Sequence, residues 1–139
     1  MTNQLHTEIT MGSQLTESAA VIERLRSDPA SLSRTHGRDV AFQIAMREAL
    51  VNAVTHGNRH DASRNVYVQY VCEPDHSLSI VIRDEGDGFD ASSVPIPKDL
   101  GEDRRLGIHL MTSCMDEVEF RKCGTEVYMR IAAHQDPEA

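Results

Sequence analysis

Two runs of alternating apolar and polar residues lie only four residues apart. Val66, Val68, Tyr70 and Cys72 share one face of the first, and Leu78, Ile80 and Ile82 share one face of the second. A period of two marks half-buried strands. The connection Glu73-Pro74-Asp75-His76 is too short for a crossover, so the two strands must pair antiparallel as a hairpin. Whatever else the chain does, it must cover the apolar face of that hairpin.

Helical patterns supply the cover. Leu15, Ala19, Ile22 and Leu25 repeat at helical spacing, with Ser13 or Thr16 as N-cap and Asp28-Pro29 as the stop. The polar stretch Ala30 to Arg38 reads as a connection. A longer helix is expected from about Asp39 to His56, with Phe42, Ala45, Met46, Ala49 and Ala53 on one face and Gly57-Asn58 as a left-handed stop. Leu5 to Met11 is expected to be a short first strand. Gly86 to Arg105 has no apolar period and reads as a long loop of the kind that is usually functional. A helix from about Leu106 to Cys114 follows, then strands at Val118 to Arg121 and Glu126 to Ile131, joined through Lys122-Cys123-Gly124-Thr125. The order β-α-α-β-β-loop-α-β-β describes an α/β two-layer sandwich of the α+β kind. Its sheet is mixed but mostly antiparallel and is covered on one face by helices.

At 139 residues the chain is expected to form a single domain, residues 1–139, with a frayed tail from about residue 134. Its formal charge of -8 argues against nonspecific binding to nucleic acid or to an anionic membrane. Neither a leader-like N-terminus nor a membrane-spanning apolar run is visible, so a cytoplasmic location is expected. Three widely spaced cysteines (Cys72, Cys114, Cys123) suit a reducing compartment and are expected in core or strands.

Three short segments carry the chemistry. Glu48, Asn52 and His56 fall at i, i+4 and i+8, along one stripe of the long helix. An Asn oxygen is a hard neutral ligand suited to Mg²⁺, and a carboxylate one turn away can take a proton from an attacking hydroxyl. The same stripe also suits a solvated face, and the helix alone does not separate the two readings. The second segment, Asp84-Glu85-Gly86-Asp87-Gly88, ends the second hairpin strand. It is no calcium loop, because glycines occupy the third and fifth positions where side-chain oxygens are needed. It is no dinucleotide fingerprint, because Pro95 and Pro97 follow where a helix should open. An Asp that accepts from an exocyclic adenine amine, with glycines admitting backbone close to the base, is a third reading beside a plain acidic turn. The third segment, Leu106-Gly107-Ile108, puts a glycine at a helix start, where free N–H groups suit phosphate.

Together the segments resemble the GHKL superfamily of ATPases and kinases, and in particular its small bacterial anti-sigma-factor serine kinases. Glu48 to Asn58 resembles the N box, Val81 to Asp90 the first glycine box, and Leu106 to Met111 with Met115-Asp116-Glu117-Val118 the second box and the strand beyond it. The resemblance implies the Bergerat ATP-binding fold over most of the chain. It implies that Glu48 is the catalytic base and Asn52 the Mg²⁺ ligand. It further implies that Asp84 meets adenine, supported by Gly86, Gly88 and Thr125, and that Gly107 contacts phosphate. Arg105 stands where the family usually has a glycine; there it either grips phosphate or obstructs the turn. The implied activity is ATP-dependent protein serine kinase. The implied partners are a STAS-domain anti-anti-sigma substrate, a sigma factor or other regulated protein, and a second copy of the chain. An ATP-binding module that sequesters a partner without efficient transfer is the alternative. A detached histidine-kinase domain fits less well, because the first helix carries no phosphoacceptor His.

Overall fold

The computed structural model of the chain describes residues 6–87 and 104–133. Five strands form one sheet: β1 (His6–Gly12), β2 (Asn65–Cys72), β3 (Ser77–Arg83), β4 (Glu117–Arg121) and β5 (Glu126–Ala132). They lie in the order β1-β2-β3-β5-β4, and every pairing is antiparallel. The hairpin takes the register its apolar alternation demands: Val68 lies opposite Ile82, and Tyr70 opposite Ile80. The Glu73–Ser77 turn closes it, with the Glu73 N–H donating to the Ser77 carbonyl (2.9 Å). β5 then inserts between β3 and β4, so β3 is central and buried along nearly its whole length.

Helices α1 (Ser18–Ser27), α2 (Pro29–Arg34), α3 (Asp39–Val51) and α4 (Arg104–Cys114) accompany the sheet. Phe42, Ala45, Met46, Ala49 and Leu50 of α3 pack with Val66, Val68, Ile80, Ile82, Met111 and Met129 into one core. Burying each large aliphatic side chain contributes about 1.5–3 kcal/mol. α3 touches both α1 and α4, so it is the central element of the helical layer.

Several boundaries differ from the sequence reading, each for a local reason. The stretch Ala30 to Arg38 is not all connection, because α2 occupies its first half. Pro29 ends α1 but also starts α2, since proline has no N–H to lose in a first turn. Neither Ser13 nor Thr16 caps α1. A 3₁₀ turn (Leu15–Glu17) precedes it, and the Ser13 hydroxyl instead donates to the Arg64 carbonyl (2.7 Å). α4 begins at Arg104, two residues earlier than expected, which places Gly107 inside its first turn rather than at its start. Cys123 is exposed in the β4–β5 turn instead of buried, while Cys72 and Cys114 are half-buried.

The start of α3 is fixed by a charged clamp. The Arg38 guanidinium donates to both oxygens of Asp116 (2.7 and 2.8 Å), to the Ala132 carbonyl (3.2 Å) and to the Cys114 carbonyl (3.0 Å). Asp116 also accepts from the Ala132 N–H (2.9 Å). One ion pair thereby ties α3 to the end of α4 and the end of β5. Burial would push the Asp116 carboxyl up, but the Arg38 hydrogen bond, the Ala132 N–H and the charges of Arg38 and Arg130 outweigh it and hold it below the usual range. A depressed carboxyl stabilises the fold above its unfolded pKa and loses that contribution as the pH falls through its folded value. Asp116→Asn is therefore expected to lower the unfolding free energy by about 1–3 kcal/mol at pH 7. Its deficit relative to the parent should shrink below about pH 4. Urea unfolding of both proteins at pH 7 and pH 3.5 checks this, and an equal deficit at the two values would refute the charge-based account.

Candidate nucleotide-binding site

The site forms where the far end of α3 meets the exit of β3. After Val51 the helix continues as a wider π turn over Asn52–Gly57, with the Asn58 N–H bonding the Ala53 carbonyl (2.8 Å). Such turns recur at functional positions because they displace side chains that a regular helix would align. The extra residue also defers the left-handed stop. It falls at Arg59 (φ 53°) and His60 (φ 57°), not at Gly57-Asn58, and the His60 N–H closes on the Val54 carbonyl (2.9 Å).

Asn52 lies at the head of that turn. It is 9% exposed, and its Oδ1 has no hydrogen-bond partner among the described residues. An orphaned buried acceptor costs about 1–3 kcal/mol, so something should compensate it. Glu48, one turn earlier and half-buried, borders Gly107: a Cβ on Gly107 would stand 2.9 Å from Glu48 Oε2. The stripe on α3 and the glycine of α4 are therefore in contact through the tip of the Glu48 side chain.

Asp84 is buried beside the π turn. Its Oδ1 accepts from the Gly86 N–H (2.8 Å), and its own N–H donates to the Thr125 carbonyl (2.9 Å). Thr125 thus braces Asp84 through its main chain, while its hydroxyl bonds the Lys122 carbonyl (2.9 Å) within its own turn. Glycines permit the approach of helix and loop. A Cβ on Gly57 would collide with the Asp84 carboxylate, and one on Gly86 would collide with the Gly57 carbonyl. Gly57, which the sequence places in the N-box stretch as a helix stop, is therefore also part of the wall around Asp84. The signal was its place directly after the N-box histidine, which the stop reading absorbed.

Asn58 was also missed. It is fully buried, and its amide is shared among three segments, as set out below. His56 lies in the π turn, half-buried. Gly88 and the loop up to residue 103 lie outside the described residues, as does the side chain of Arg105. The Arg105 backbone forms the second residue of α4. Among the described residues no cluster of three or more acidic, His or Cys side chains stands ready for a metal, and no helix is long and apolar enough to cross a membrane.

The helix-covered antiparallel sheet thus carries, at one end of the π turn, an Asn oxygen unpartnered among the described residues and, at the other, a buried Asp walled by glycines. Residues 12–131 match the family model of the histidine kinase-like ATPase domain, and the chain belongs to that family. Its relatives include the serine-protein kinase RsbW of Bacillus subtilis (strain 168), 31% identical over 114 residues covering 73% of this chain and 69% of the relative. The anti-sigma F factor of Geobacillus thermodenitrificans (strain NG80-2) is 30% identical over 139 residues, covering 94% and 92%. The anti-sigma F factor of Bacillus subtilis (strain 168) is 30% identical over 123 residues, covering 85% and 82%. These likenesses put the chain in the anti-sigma-factor kinase branch of GHKL proteins, and an ATPase domain implies ATP as the ligand.

The two buried glycine contacts differ in kind, and their substitutions should differ in effect. A Cβ at Gly86 meets the Gly57 main chain, which cannot turn aside, so Gly86→Ala is expected to cost about 1–3 kcal/mol. A Cβ at Gly107 meets the tip of a glutamate side chain, which can turn, and alanine favours the helix by about 0.5–1 kcal/mol. Gly107→Ala should therefore be neutral or slightly stabilising. Urea titrations of both variants test the contrast, which a larger loss for Gly107→Ala would reverse.

Proposed function

We propose that the chain is an ATP-dependent protein serine kinase that acts as an anti-sigma factor in a partner-switching system. Its substrate is a serine on a STAS-domain anti-anti-sigma protein. The observation that carries the reading is the orphaned Asn52 Oδ1, buried one turn from Glu48 and from the Glu48–Gly107 contact. A lone neutral oxygen suits Mg²⁺, which would supply charge neutralisation at the phosphates. Asn52 would hold the cation, and Asp84, walled by Gly57 and Gly86, would accept from the adenine amine. Gly88 and Thr125 would support Asp84 at the base, while Arg105 and Gly107 would line the triphosphate.

Glu48 acts on the protein substrate. Its carboxylate takes the proton of the attacking serine hydroxyl as the new O–P bond forms and the bond to the β,γ-bridging oxygen breaks, leaving phosphoserine and ADP. The relatives' names, serine-protein kinase and anti-sigma F factor, support both halves of this proposal. The sigma factor and the STAS protein would be alternative partners of one surface, and the working unit would be a homodimer.

Glu48→Gln is expected to bind ATP as the parent does and to transfer phosphate about 10²-fold more slowly or worse, since it keeps the shape and loses the base. Single-turnover transfer from labelled ATP to STAS-domain proteins of the same organism measures this. An unchanged rate would remove Glu48 from catalysis. Tight ATP binding with no transfer by the parent to any such protein would favour the sequestering module instead.

A further inference from the structure

Resting on the nucleotide reading above, we propose that Asn58 is a positioning residue that fixes the base-recognition turn and thereby sets the selectivity for adenine. Its side chain is fully buried, and each polar atom of its amide is engaged. Nδ2 donates to Ser13 Oγ (2.8 Å) and to the Asn65 carbonyl (2.9 Å), while Oδ1 accepts from the Glu85 N–H (2.7 Å). Glu85 is the residue between Asp84 and Gly86. Its peptide carries the turn whose Asp84 Oδ1 accepts from Gly86, and its carboxylate accepts in turn from the Asn65 N–H. The far side of the network is anchored by Ser13, whose hydroxyl reaches the Arg64 carbonyl (2.7 Å). One amide therefore joins the exit of β1, the entry of β2 and the Asp84 turn.

The division of labour within the amide makes the role testable. Nδ2 faces the strands and holds scaffold to scaffold. Oδ1 alone faces the recognition turn. The Asp84 N–H bond to Thr125 fixes the turn from the β5 side, and without Asn58 the Glu85 peptide has lost its buried acceptor and can rotate. The N–H belongs to the Asp84–Glu85 peptide, so its rotation turns the Asp84 main chain directly and disturbs the Gly86 N–H that holds the Asp84 carboxylate. An Asp whose carboxylate is no longer held at one place cannot tell an amine from a carbonyl on the base. No other substitution on the scaffold side, such as Ser13→Ala, should have that consequence, although it removes a bond from the same network.

The test compares the parent, Asn58→Ala and Ser13→Ala by calorimetry with Mg-ATP and Mg-GTP, at a temperature where all three are folded. Both variants are expected to melt lower than the parent. Ser13→Ala should keep the parent's ratio of ATP to GTP affinity. Asn58→Ala should lose about tenfold or more in ATP affinity, with little change for GTP, the effect of freeing one hydrogen bond to a buried group. Equal ratios in the two variants would reduce Asn58 to a stability role and overturn the proposal. If Asn58→Ala does not fold, the parent itself answers through hydrogen exchange. The Glu85 amide should be as protected without nucleotide as the Asp84 amide, and free exchange at Glu85 would overturn the proposal equally. A parent that binds neither nucleotide, with Glu85 protected, would refute the nucleotide reading and with it the selectivity assigned to Asn58.

Discussion

The close approach of the α3 end to the exit of β3 is the constraint on which the site depends. Backbone meets backbone where Gly86 lies against the Gly57 carbonyl, and a carboxylate fills the space a side chain at Gly57 would need. Such an approach is open only to glycine, and it brings two chemistries together that the sequence keeps some thirty residues apart. The Asn52 oxygen ends one helix and the Asp84 carboxylate ends one strand, yet they flank the same π turn. The turn itself follows from the same demand. The π turn brings Gly57 against Asp84 and Asn58 onto Ser13, Asn65 and Glu85.

The rest of the molecule serves to hold that junction. The core under α3 fixes its axis against the sheet, and the Arg38–Asp116 clamp fixes its other end against α4 and β5. Met115-Asp116-Glu117-Val118, which resembles a family signature, thus has structural work of its own: Met115 is buried, and Asp116 carries the clamp. Because β5 lies between β3 and β4, the Lys122–Thr125 turn is delivered next to Asp84, where the Thr125 carbonyl receives its N–H. Topology therefore supplies a brace for a residue forty positions away in sequence.

Much of this was legible in the chain. The alternation of Val66 to Cys72 against Leu78 to Ile82 fixed the hairpin and the face each strand buries, and the apolar stripe from Phe42 to Ala53 fixed the central helix and its buried face. Local signals did less well. α2 escaped notice because six residues with serines at their centre give no periodic stripe. The start of α1 shifted because a 3₁₀ turn, not a side-chain cap, leads into it, and α4 reaches back past its first apolar residue to Arg104. The strand order was not readable, since nothing in sequence requires β5 to insert beside β3. Gly57 and Asn58 were read for what they do to their own helix, and their contacts to Asp84 and Glu85 exist only after the sheet has formed. Those residues show where a one-dimensional reading stops. A pattern reports an element's buried face well and reports poorly which distant loop an element's end will touch.

The cation role proposed for the buried Asn52 oxygen, unpaired among the described residues, is open to a direct measurement. Calorimetry of ATP with and without Mg²⁺, on the parent and on Asn52→Ala, tests it most directly. Mg²⁺ is expected to tighten ATP binding to the parent by about tenfold or more and to leave Asn52→Ala nearly unaffected. Equal ATP affinity with and without Mg²⁺ in the parent, or the same Mg²⁺ dependence in both proteins, would contradict it.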